Sequence, residues 1–311
     1  MATCCWCHGP LVKSQGAWWC RDTEADRERQ VTHASFTGSG KTLQFLYVPT
    51  PVQTVWHEAV YDPEVTRLLV GGQAGPGKSR WLRETLYELA RVIPGFHGLL
   101  LRKTHKDLDQ SHLRFVPYEV ERRGGKWFKG DKVIEFPHPG QPASVIRAGH
   151  MEDSGAIENY LSAEYDAIAP DELVTFERDA MLELFTRARS TNTHLAEIRG
   201  NAAEALDGSL VMTATNPGGR GALWVKEFFI DQNPDPEEFP AYDPRRWRFY
   251  GARLDDNPYM APGYKEALMG LRETRRRQLL EGDWNVFEGA FFSEFRAERH
   301  GKPWHVRELA F

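Results

Sequence analysis

Short apolar runs alternate with amphipathic stretches along most of the chain. Runs of this kind predict buried strands at 68–70, 98–102, 144–147, 165–169 and 209–213. The first of them is followed by an apolar spacing typical of one helix face, at Leu82, Leu86, Leu89 and Ile93. Strands that alternate with helices favour a mainly parallel sheet with helices on both sides, so we predict an α/β fold.

Two other stretches have a different pattern. Residues 126–136 alternate polar and apolar positions around a Gly-Asp turn, which predicts a β-hairpin. Residues 231–244 combine four prolines with acidic residues, which is typical of a linker.

The composition is that of an ordinary soluble protein, with 311 residues, 41% hydrophobic and 27% charged. No apolar stretch approaches the roughly 20 residues that a membrane span needs, and the N-terminus lacks the order of a signal peptide. We therefore expect a cytoplasmic protein with no membrane partner. The formal net charge of −5 argues against a globally cationic surface for nucleic acid, although local basic faces remain compatible with it.

A phosphate-binding loop pattern lies between the run at 68–70 and the helix that follows. Residues 71–79 read GGQAGPGKS, so Gly72, Gly77, Lys78 and Ser79 fill every fixed position of GxxxxGK[ST]. We expect the loop N–H groups to face a β-phosphate, Lys78 to neutralise the β- and γ-phosphates, and Ser79 to ligate Mg²⁺. A similar stretch at 38–42 lacks the first glycine and leads into a strand-like segment, so we interpret it as a hairpin turn.

Paired carboxylates follow the apolar run at 165–169. Asp171 is predicted to hold Mg²⁺ and Glu172 to act as general base on the attacking water. The alternative is a pair of carboxylates that only stabilise a helix N-terminus. Because Pro170 cannot donate to a sheet ladder, we expect it at the carboxyl end of its strand.

A third polar segment, 213–219, follows the run at 209–213. Its residues, TATNPGG, can sense a γ-phosphate at the tip of a strand, or can simply form an Asn-Pro-Gly turn.

All four cysteines lie within the first 20 residues. Cys4, Cys7 and Cys20 are predicted zinc ligands, with Asp26 as the fourth and His8 or His33 as substitutes. The alternative is a reduced segment, which also includes Cys5, without metal.

Taken in order, several motifs resemble the large terminase subunit of tailed bacteriophages. They are GGQAGPGKS at 71–79, LLLRKT at 99–104, YDAIAPDEL at 165–173, TATNPGG at 213–219, LDDNPY at 254–259, RRRQLLEGDW at 275–284 and EGAFFSEF at 288–295. The resemblance covers residues 45–295, and the last three motifs are the most discriminating. It implies a P-loop fold of the RecA/ASCE type and an ATP-driven motor that pushes double-stranded DNA through a portal into a procapsid.

The resemblance also implies residue roles. Residues 72–79 correspond to the Walker A loop, Asp171 and Glu172 to the Walker B pair, and Thr213 to Thr215 to the coupling motif. Gln53 matches a glutamine that reads adenine, or it is a surface residue that caps a helix beginning near Val55. The predicted nucleotide-contacting set is Gln53, Gly72, Gly75, Gly77, Lys78, Ser79, Arg80, Asp171, Thr213 and Thr215.

The chain departs from the family in two ways. The variable part of its loop, 73–76, carries no basic residue, so an arginine that stabilises the transferring phosphoryl group must come from elsewhere. Arg102 and Arg147 are the candidates placed in the catalytic set, and Arg187 and Arg189 remain alternatives. The chain also stops where a nuclease domain begins in such proteins, so we expect an ATPase without DNA cleavage, with 296–311 as a stub.

We expect four parts: an N-terminal Cys- and Trp-rich appendage at 1–44, an ATPase core at 45–235, a lid at 236–295 and the stub. The resemblance implies a portal protein and a small terminase subunit as partners. It also implies a homo-oligomeric ring on the portal, with a monomer in solution as the alternative, located in the host cytoplasm at the procapsid portal vertex. ATP and Mg²⁺ are the implied cofactors, and Zn²⁺ is added if the cysteines bind metal.

Contact with DNA is expected to be sequence-independent and electrostatic. Candidate basic clusters are Arg122 and Arg123 with the 126–132 hairpin, residues 245–248, and residues 275–277. Two alternatives for function remain. One is a superfamily 2 helicase or another RecA-like ATPase, and the other is an assembly protein that binds nucleotide without hydrolysing it.

Overall fold

The computed structural model describes residues 11–14, 17–22, 27–31, 35–37, 44–153, 155–200 and 208–286. Two small sheets precede the main body: a three-stranded antiparallel sheet and an antiparallel hairpin. Their strands are β1 (Leu11–Ser14), β2 (Ala17–Asp22), β3 (Arg27–Val31), β4 (Ser35–Thr37) and β5 (Gln44–Tyr47). The hairpin pairing of β4 with β5 agrees with the turn predicted at 38–42, which itself lies outside the described residues.

An eight-stranded sheet forms the centre of the molecule. Its strands are β6 (Arg67–Gly72), β7 (His97–Arg102), β8 (Lys126–Phe128), β9 (Val133–His138), β10 (Gln141–His150), β11 (Ala167–Pro170), β12 (Leu210–Thr215) and β13 (Trp247–Ala252). Their order in space is β13-β6-β12-β11-β7-β10-β9-β8. The first six are parallel, and β9 and β8 extend the β10 edge in the antiparallel sense.

Helices cover the sheet and connect its strands. They are α1 (Pro51–Val60), α2 (Lys78–Val92), α3 (His105–Leu108), α4 (Val116–Glu121), α5 (Glu158–Leu161), α6 (Arg178–Phe185), α7 (Thr193–Ile198), α8 (Ala222–Val225), α9 (Tyr264–Met269) and α10 (Glu273–Arg276). Turns of π-helix are formed by Asp109–Leu113, Lys226–Ile230 and Arg277–Glu281. Short 3-10 turns are Gly155–Ile157, Leu173–Thr175, Pro244–Arg246 and Leu254–Asp256. Within the described residues, no helix is both long and apolar enough to span a membrane.

Both faces of the sheet are buried, which explains why its central strands are continuous apolar runs. Along β6, Leu68 and Val70 face a core that includes Trp56 of α1 and Trp81 of α2. Leu69 faces the opposite core, which is formed largely by α6, α8 and the segments around them. The predicted α/β architecture, a mainly parallel sheet with helices on both sides, is therefore confirmed.

One strand differs from the sequence interpretation. Residues 247–252, assigned to the lid, form β13 and pair in parallel with β6 at the edge of the central sheet. The reason is visible in their packing, because Trp247 and Phe249 pack against the core on the α6 side. The alternation of apolar residues in this strand is short, and the two arginines and the prolines before it made the strand hard to recognise in the sequence.

Arg199 is buried at one end of the sheet, where it binds backbone carbonyl groups. Its buried guanidinium donates to the carbonyl oxygens of Val60 (2.9 Å), Asp62 (2.8 Å), Gly208 (2.7 Å) and Ser209 (2.9 Å), and also to that of Val65. An apolar replacement would leave these buried carbonyl groups without that donor.

We expect Arg199→Met to lower the free energy of unfolding by about 3 kcal/mol or more, because several buried acceptors lose one charged donor. Urea unfolding followed by circular dichroism measures the change. The matched control is Arg189→Met, since Arg189 is 53% exposed and pairs at the surface with Glu164; that change should cost about 0–1 kcal/mol. Equal effects in the two variants would contradict the structural role of Arg199.

Candidate functional site

The phosphate-binding loop connects the carboxyl end of β6 to the first turn of α2. Gly72 and Gly77 have φ angles of 119° and 86°, in the left-handed region that favours glycine. A Cβ at Gly72 would lie 2.8 Å from the carbonyl oxygen of Ala252, and one at Gly77 would lie 2.7 Å from the side-chain nitrogen of Gln53. Both positions therefore favour glycine for conformation, and Gly72 also requires it for space because the close atoms are backbone atoms.

Lys78 is the first residue of α2 and is buried under the loop, with 7% of its surface exposed. Its Nζ donates to the carbonyl oxygen of Gln73 and to Oδ1 of Asn216, each at 2.7 Å. Burial lowers the pKa of Lys78 to about 8, although the nearby carboxylates of Glu172 and Asp171 oppose the shift. The ammonium group therefore lies between the loop and the acidic pair.

Asp171 directly follows β11 and is almost completely buried. Its Oδ2 accepts hydrogen bonds from Arg102 Nη1 (3.1 Å) and His112 Nε2 (2.9 Å), and the nearby Ser79 side chain also lowers its pKa. Burial by itself would raise the pKa of Asp171, but these donors outweigh it and hold the pKa below its usual value. Asp171 is therefore an anion near neutral pH. Pro170 is the last residue of β11, as expected for a proline in this sheet.

Glu172 follows in a strained backbone conformation, with φ 60° and ψ 55°. A residue other than glycine in this region costs about 1–3 kcal/mol and is often found at functional sites. The carboxylate accepts a hydrogen bond from the Thr215 hydroxyl (3.3 Å) and lies 3.9 Å from Arg102 Nη1. Burial and the charge of Asp171 raise the pKa of Glu172, against opposing effects of Lys78 and Arg102. A carboxylate with a raised pKa is better suited to accept a proton from water.

The two threonines of the predicted coupling motif occupy different places. Both are fully buried, but Thr215 ends β12 beside Glu172, whereas Thr213 donates to the carbonyl oxygen of Leu68 at 3.2 Å. Thr213 therefore supports the sheet, and Thr215 faces the acidic pair. Asn216, the next residue, accepts a hydrogen bond from Lys78 through its side chain, and its backbone opposes the rise in the pKa of Glu172.

Gln53 contacts the loop and also caps a helix. Helix α1 begins at Pro51 and not near Val55, and Thr50 and Gln53 form its capping box. The Gln53 amide nitrogen donates to the carbonyl oxygen of Gly77 at 3.2 Å, and the side chain is buried and not at the surface. Capping is thus observed, whereas recognition of adenine stays a prediction.

The arginines named from sequence are not all near the loop. Arg102 contacts both carboxylates of the acidic pair. Arg147 is exposed on β10, in a separate cavity that Lys132 and His150 also line. Arg80 points away from the loop and donates to the carbonyl oxygen of Leu46 at 2.8 Å, above the ring of Tyr47.

The variable part of the loop contacts the segment 254–279. Gln73 Oε1 accepts the N–H of Leu254 (2.7 Å), Ala74 N–H donates to the carbonyl oxygen of Leu279 (2.7 Å), and Asn257 donates to that of Gly75 (2.6 Å). A Cβ at Gly75 would lie 2.2 Å from the end of the Met260 side chain. The loop and the segment 254–279 are therefore in direct contact.

The site has the oxygen ligands that Mg²⁺ prefers. The hydroxyl of Ser79 lies close enough to the carboxylate of Asp171 to lower its pKa, so these two oxygen ligands are neighbours. Across the described residues, no group of three or more His, Cys, Asp or Glu side chains could hold a metal. Cys4, Cys7 and Asp26 lie outside the described residues, and Cys20 is described only as part of β2, so the zinc site stays a prediction.

Sequence reasoning missed His112 and Arg83. Both side chains are buried. Arg83 contacts His112, and His112 in turn contacts Asp171. No motif marks them, because His112 lies in the irregular turn Asp109–Leu113 and Arg83 resembles an exposed residue of an amphipathic helix.

No protein-family model and no curated protein sequence matches the chain. Among solved structures, the chain is similar to the large terminase of a thermophilic bacteriophage in complex with ADP, with a TM-score of 0.56 and 14% identity. The match covers 76% of this chain and 53% of the phage protein, so the chain spans about half of that protein's length. The same large terminase has also been solved with ATP-gamma-S, at a TM-score of 0.53 and 15% identity over 75% of this chain and 51% of that protein.

A second similarity concerns an isolated domain. The ATPase domain of the Thermus phage P74-26 large terminase matches with a TM-score of 0.51 and 19% identity, over 76% of this chain and 94% of that domain. At such low identities the similarity establishes the architecture and not the activity. The resemblance predicted from the sequence is thus confirmed for the fold: this chain has the fold of a bacteriophage large-terminase ATPase domain.

Proposed function

We propose that the chain is an ATP-hydrolysing motor subunit that moves double-stranded DNA through a portal into a procapsid. The observation that carries the proposal is the convergence of Lys78, Asp171 and Glu172 at the carboxyl edge of the sheet. The charges of Glu172 and Asp171 both act on Lys78, and Asp171 neighbours Ser79 at the start of α2. A cation, a hydroxyl and two carboxylates in this arrangement are suited to phosphoryl transfer to water.

Each side chain has a task that follows from its surroundings. Lys78 exchanges the neutral acceptors Gln73 and Asn216 for the β- and γ-phosphate oxygens. Glu172, whose pKa is raised by burial and by Asp171, accepts a proton from the attacking water. Ser79 and Asp171 would hold Mg²⁺, which when bound neutralises charge on the phosphates.

Arg102 supplies positive charge next to both carboxylates from within the same chain. This position favours Arg102 over Arg147, which lies in the separate cavity with Lys132 and His150. We propose that Arg102 offsets the negative charge of the acidic pair when the triphosphate enters, and that it stabilises charge in the transition state.

Coupling to movement follows from the contacts between the loop and the lid. Gln73, Ala74 and Gly75 each bond to the segment 254–279, so a shift of the loop on product formation changes its contacts with the lid. Thr215 adds a second connection, because it touches Glu172 at the end of β12. In a ring of subunits on the portal, such a displacement becomes a translocation step.

The edge hairpin of β8 and β9 is the surface we propose for DNA phosphates. Lys126 and Lys129 are exposed there, and Trp127 and exposed Phe128 lie between them in the sequence. Arg123 is less suited to this role, since it is buried and paired with Glu84. Contacts of this kind are sequence-independent and weaken as salt is added.

Phosphate release by the purified chain, measured with and without double-stranded DNA, tests the proposal. We expect ATP hydrolysis that requires Mg²⁺ and that DNA stimulates several-fold at low salt, with less stimulation at about 200 mM than at about 50 mM salt because phosphate contacts are screened. A duplex of unrelated sequence should stimulate equally. Nucleotide binding without phosphate release under all conditions would contradict the motor and favour the non-hydrolysing assembly protein.

A further inference from the structure

A buried histidine forms a hydrogen bond with Asp171, the proposed Mg²⁺ ligand. His112 is completely buried in the π-helical turn Asp109–Leu113, and its Nε2 lies 2.9 Å from Oδ2 of Asp171. π-helical turns within helices are often found at functional sites, since they displace a side chain from its regular position. Here the displaced position carries the histidine.

The neighbours of His112 fix which ring nitrogen carries the proton. Arg83 Nη1 lies 3.3 Å from His112 Nδ1, and a guanidinium can only donate. Nδ1 is therefore the acceptor, so the ring proton is on Nε2 and is donated to Asp171. The hydrogen bond to Asp171 consequently has one direction, from histidine to carboxylate.

Arg83 is itself held firmly. Its Nε and Nη2 donate to the two carboxylate oxygens of Glu119, at 2.9 and 3.0 Å, and Tyr87 donates to the same carboxylate at 3.1 Å. Its Nη1 also donates to the carbonyl oxygen of Ser111 at 3.1 Å, next to His112. A bidentate pair of this kind restrains orientation as well as position.

The two oxygens of Asp171 have different partners as a result. Oδ2 accepts from His112 and Arg102, whereas Oδ1 accepts the backbone N–H of Glu172 at 3.1 Å. Two donors on one oxygen restrict rotation of the carboxylate about its Cβ–Cγ bond. A ligand whose orientation is fixed in advance loses less entropy when it binds a metal.

We propose that His112 is a positioning residue for the metal site. Held by the Arg83–Glu119 pair, it orients the carboxylate of Asp171 so that this carboxylate and the Ser79 hydroxyl are arranged for Mg²⁺ before nucleotide arrives. The inference rests on the proposed function, because it concerns the same nucleotide site. Partners of this type, behind a metal ligand, typically affect metal affinity about 10- to 100-fold.

Two amide substitutions separate the hydrogen bond from mere packing. Glutamine carries its amide at the distance of Nε2 and can still donate to Asp171, whereas the shorter asparagine reaches only the position of Nδ1, facing Arg83. We expect His112→Asn to raise the Mn²⁺ concentration at half-saturation about 10-fold or more in the presence of ADP, read by electron paramagnetic resonance. His112→Gln should stay within about threefold of the wild type, and ADP affinity in EDTA should be unchanged in both variants.

Equal loss of Mn²⁺ affinity in the Asn and Gln variants, or no loss in either, would overturn the inference. A second measurement needs no substitution, and covers the case in which a variant does not fold. In the wild-type protein, the ¹⁵N signal of His112 Nε2 should identify the Nε2–H form and should shift when Mg²⁺ is added to the ADP complex. A histidine protonated on Nδ1, or a signal insensitive to Mg²⁺, would also refute it.

The readout separates this inference from the proposed function. Metal binding is measured in the ADP complex, so a chain that binds Mn²⁺ as expected but never hydrolyses ATP would refute the motor and leave the role of His112 intact. A wild-type chain whose ADP complex binds no divalent ion would refute both.

Discussion

Replacing Glu172 by glutamine is expected to reduce ATP turnover about 10²- to 10⁴-fold while nucleotide binding is retained. Glutamine keeps the size of the side chain and its contact with Thr215, but it cannot accept a proton from water. Removing one carboxylate next to Asp171 also relieves repulsion of the triphosphate, so affinity for ATP should stay the same or increase. Phosphate release under single-turnover conditions and titration with a fluorescent ATP analogue measure the two effects.

The control for this change is Glu183→Gln. Glu183 lies on α6, is exposed, and loses one carboxylate in the same way without being near the loop. Its turnover should match that of the wild type. Turnover retained in Glu172→Gln, with Glu183→Gln also unaffected, would remove Glu172 from the role of general base and direct attention to another acceptor near Lys78.

It could be predicted that the loop and the acidic pair lie close together, because each follows a strand of the parallel sheet. Carboxyl ends of parallel strands meet at one edge, so a glycine-rich loop after β6 and carboxylates after β11 were expected together there. The central strands were also predictable, since strands buried on both faces are continuous apolar runs such as 68–70. These features are encoded locally and need no knowledge of distant contacts.

Other parts of the site depend on contacts between residues far apart in the chain. Arg102 and Arg147 looked equivalent in sequence, and only the position of each on its strand places the first at the acidic pair and the second in another cavity. Thr213 and Thr215 differ for a similar reason. Thr213 bonds to the neighbouring strand within the sheet, whereas Thr215 lies at the end of its strand beside Glu172. Periodicity and motif spacing carry no information of this kind.

Buried charges were the least predictable feature. Arg83 lies 36 positions from its partner Glu119, and neither residue belongs to a sequence motif. Burial of such a pair becomes favourable only when both partners and their remaining hydrogen bonds are present together. The orientation of His112 depends on this pair. The residues next to His112 in the sequence therefore give no indication of its role.

The second large effect is expected at Lys78, where Lys78→Met keeps most of the buried aliphatic chain and removes the ammonium group. Without it, the carboxylates of Asp171 and Glu172 face the triphosphate with less opposing charge, and the hydrogen bonds to phosphate oxygens are lost. Because Lys78 gives up its bonds to Gln73 and Asn216 when it binds phosphate, the net loss is that of one hydrogen bond to a charged group, about 1.5–3 kcal/mol, and ATP affinity should fall roughly 10- to 100-fold. Turnover should fall further, because the charge that develops on the γ-phosphate loses its nearest cation.

Equilibrium titration with a fluorescent ATP analogue and phosphate release together measure the effect of Lys78→Met. Lys226→Met is the matched control, since it changes the net charge equally but removes a lysine that pairs with Asp231. That control should bind and hydrolyse ATP as the wild type does. Lys78 donates to the loop and lies near the charges of the acidic pair. Normal hydrolysis by Lys78→Met would therefore mean that the triphosphate does not bind at this edge of the sheet, and the proposed motor would lose its chemical basis.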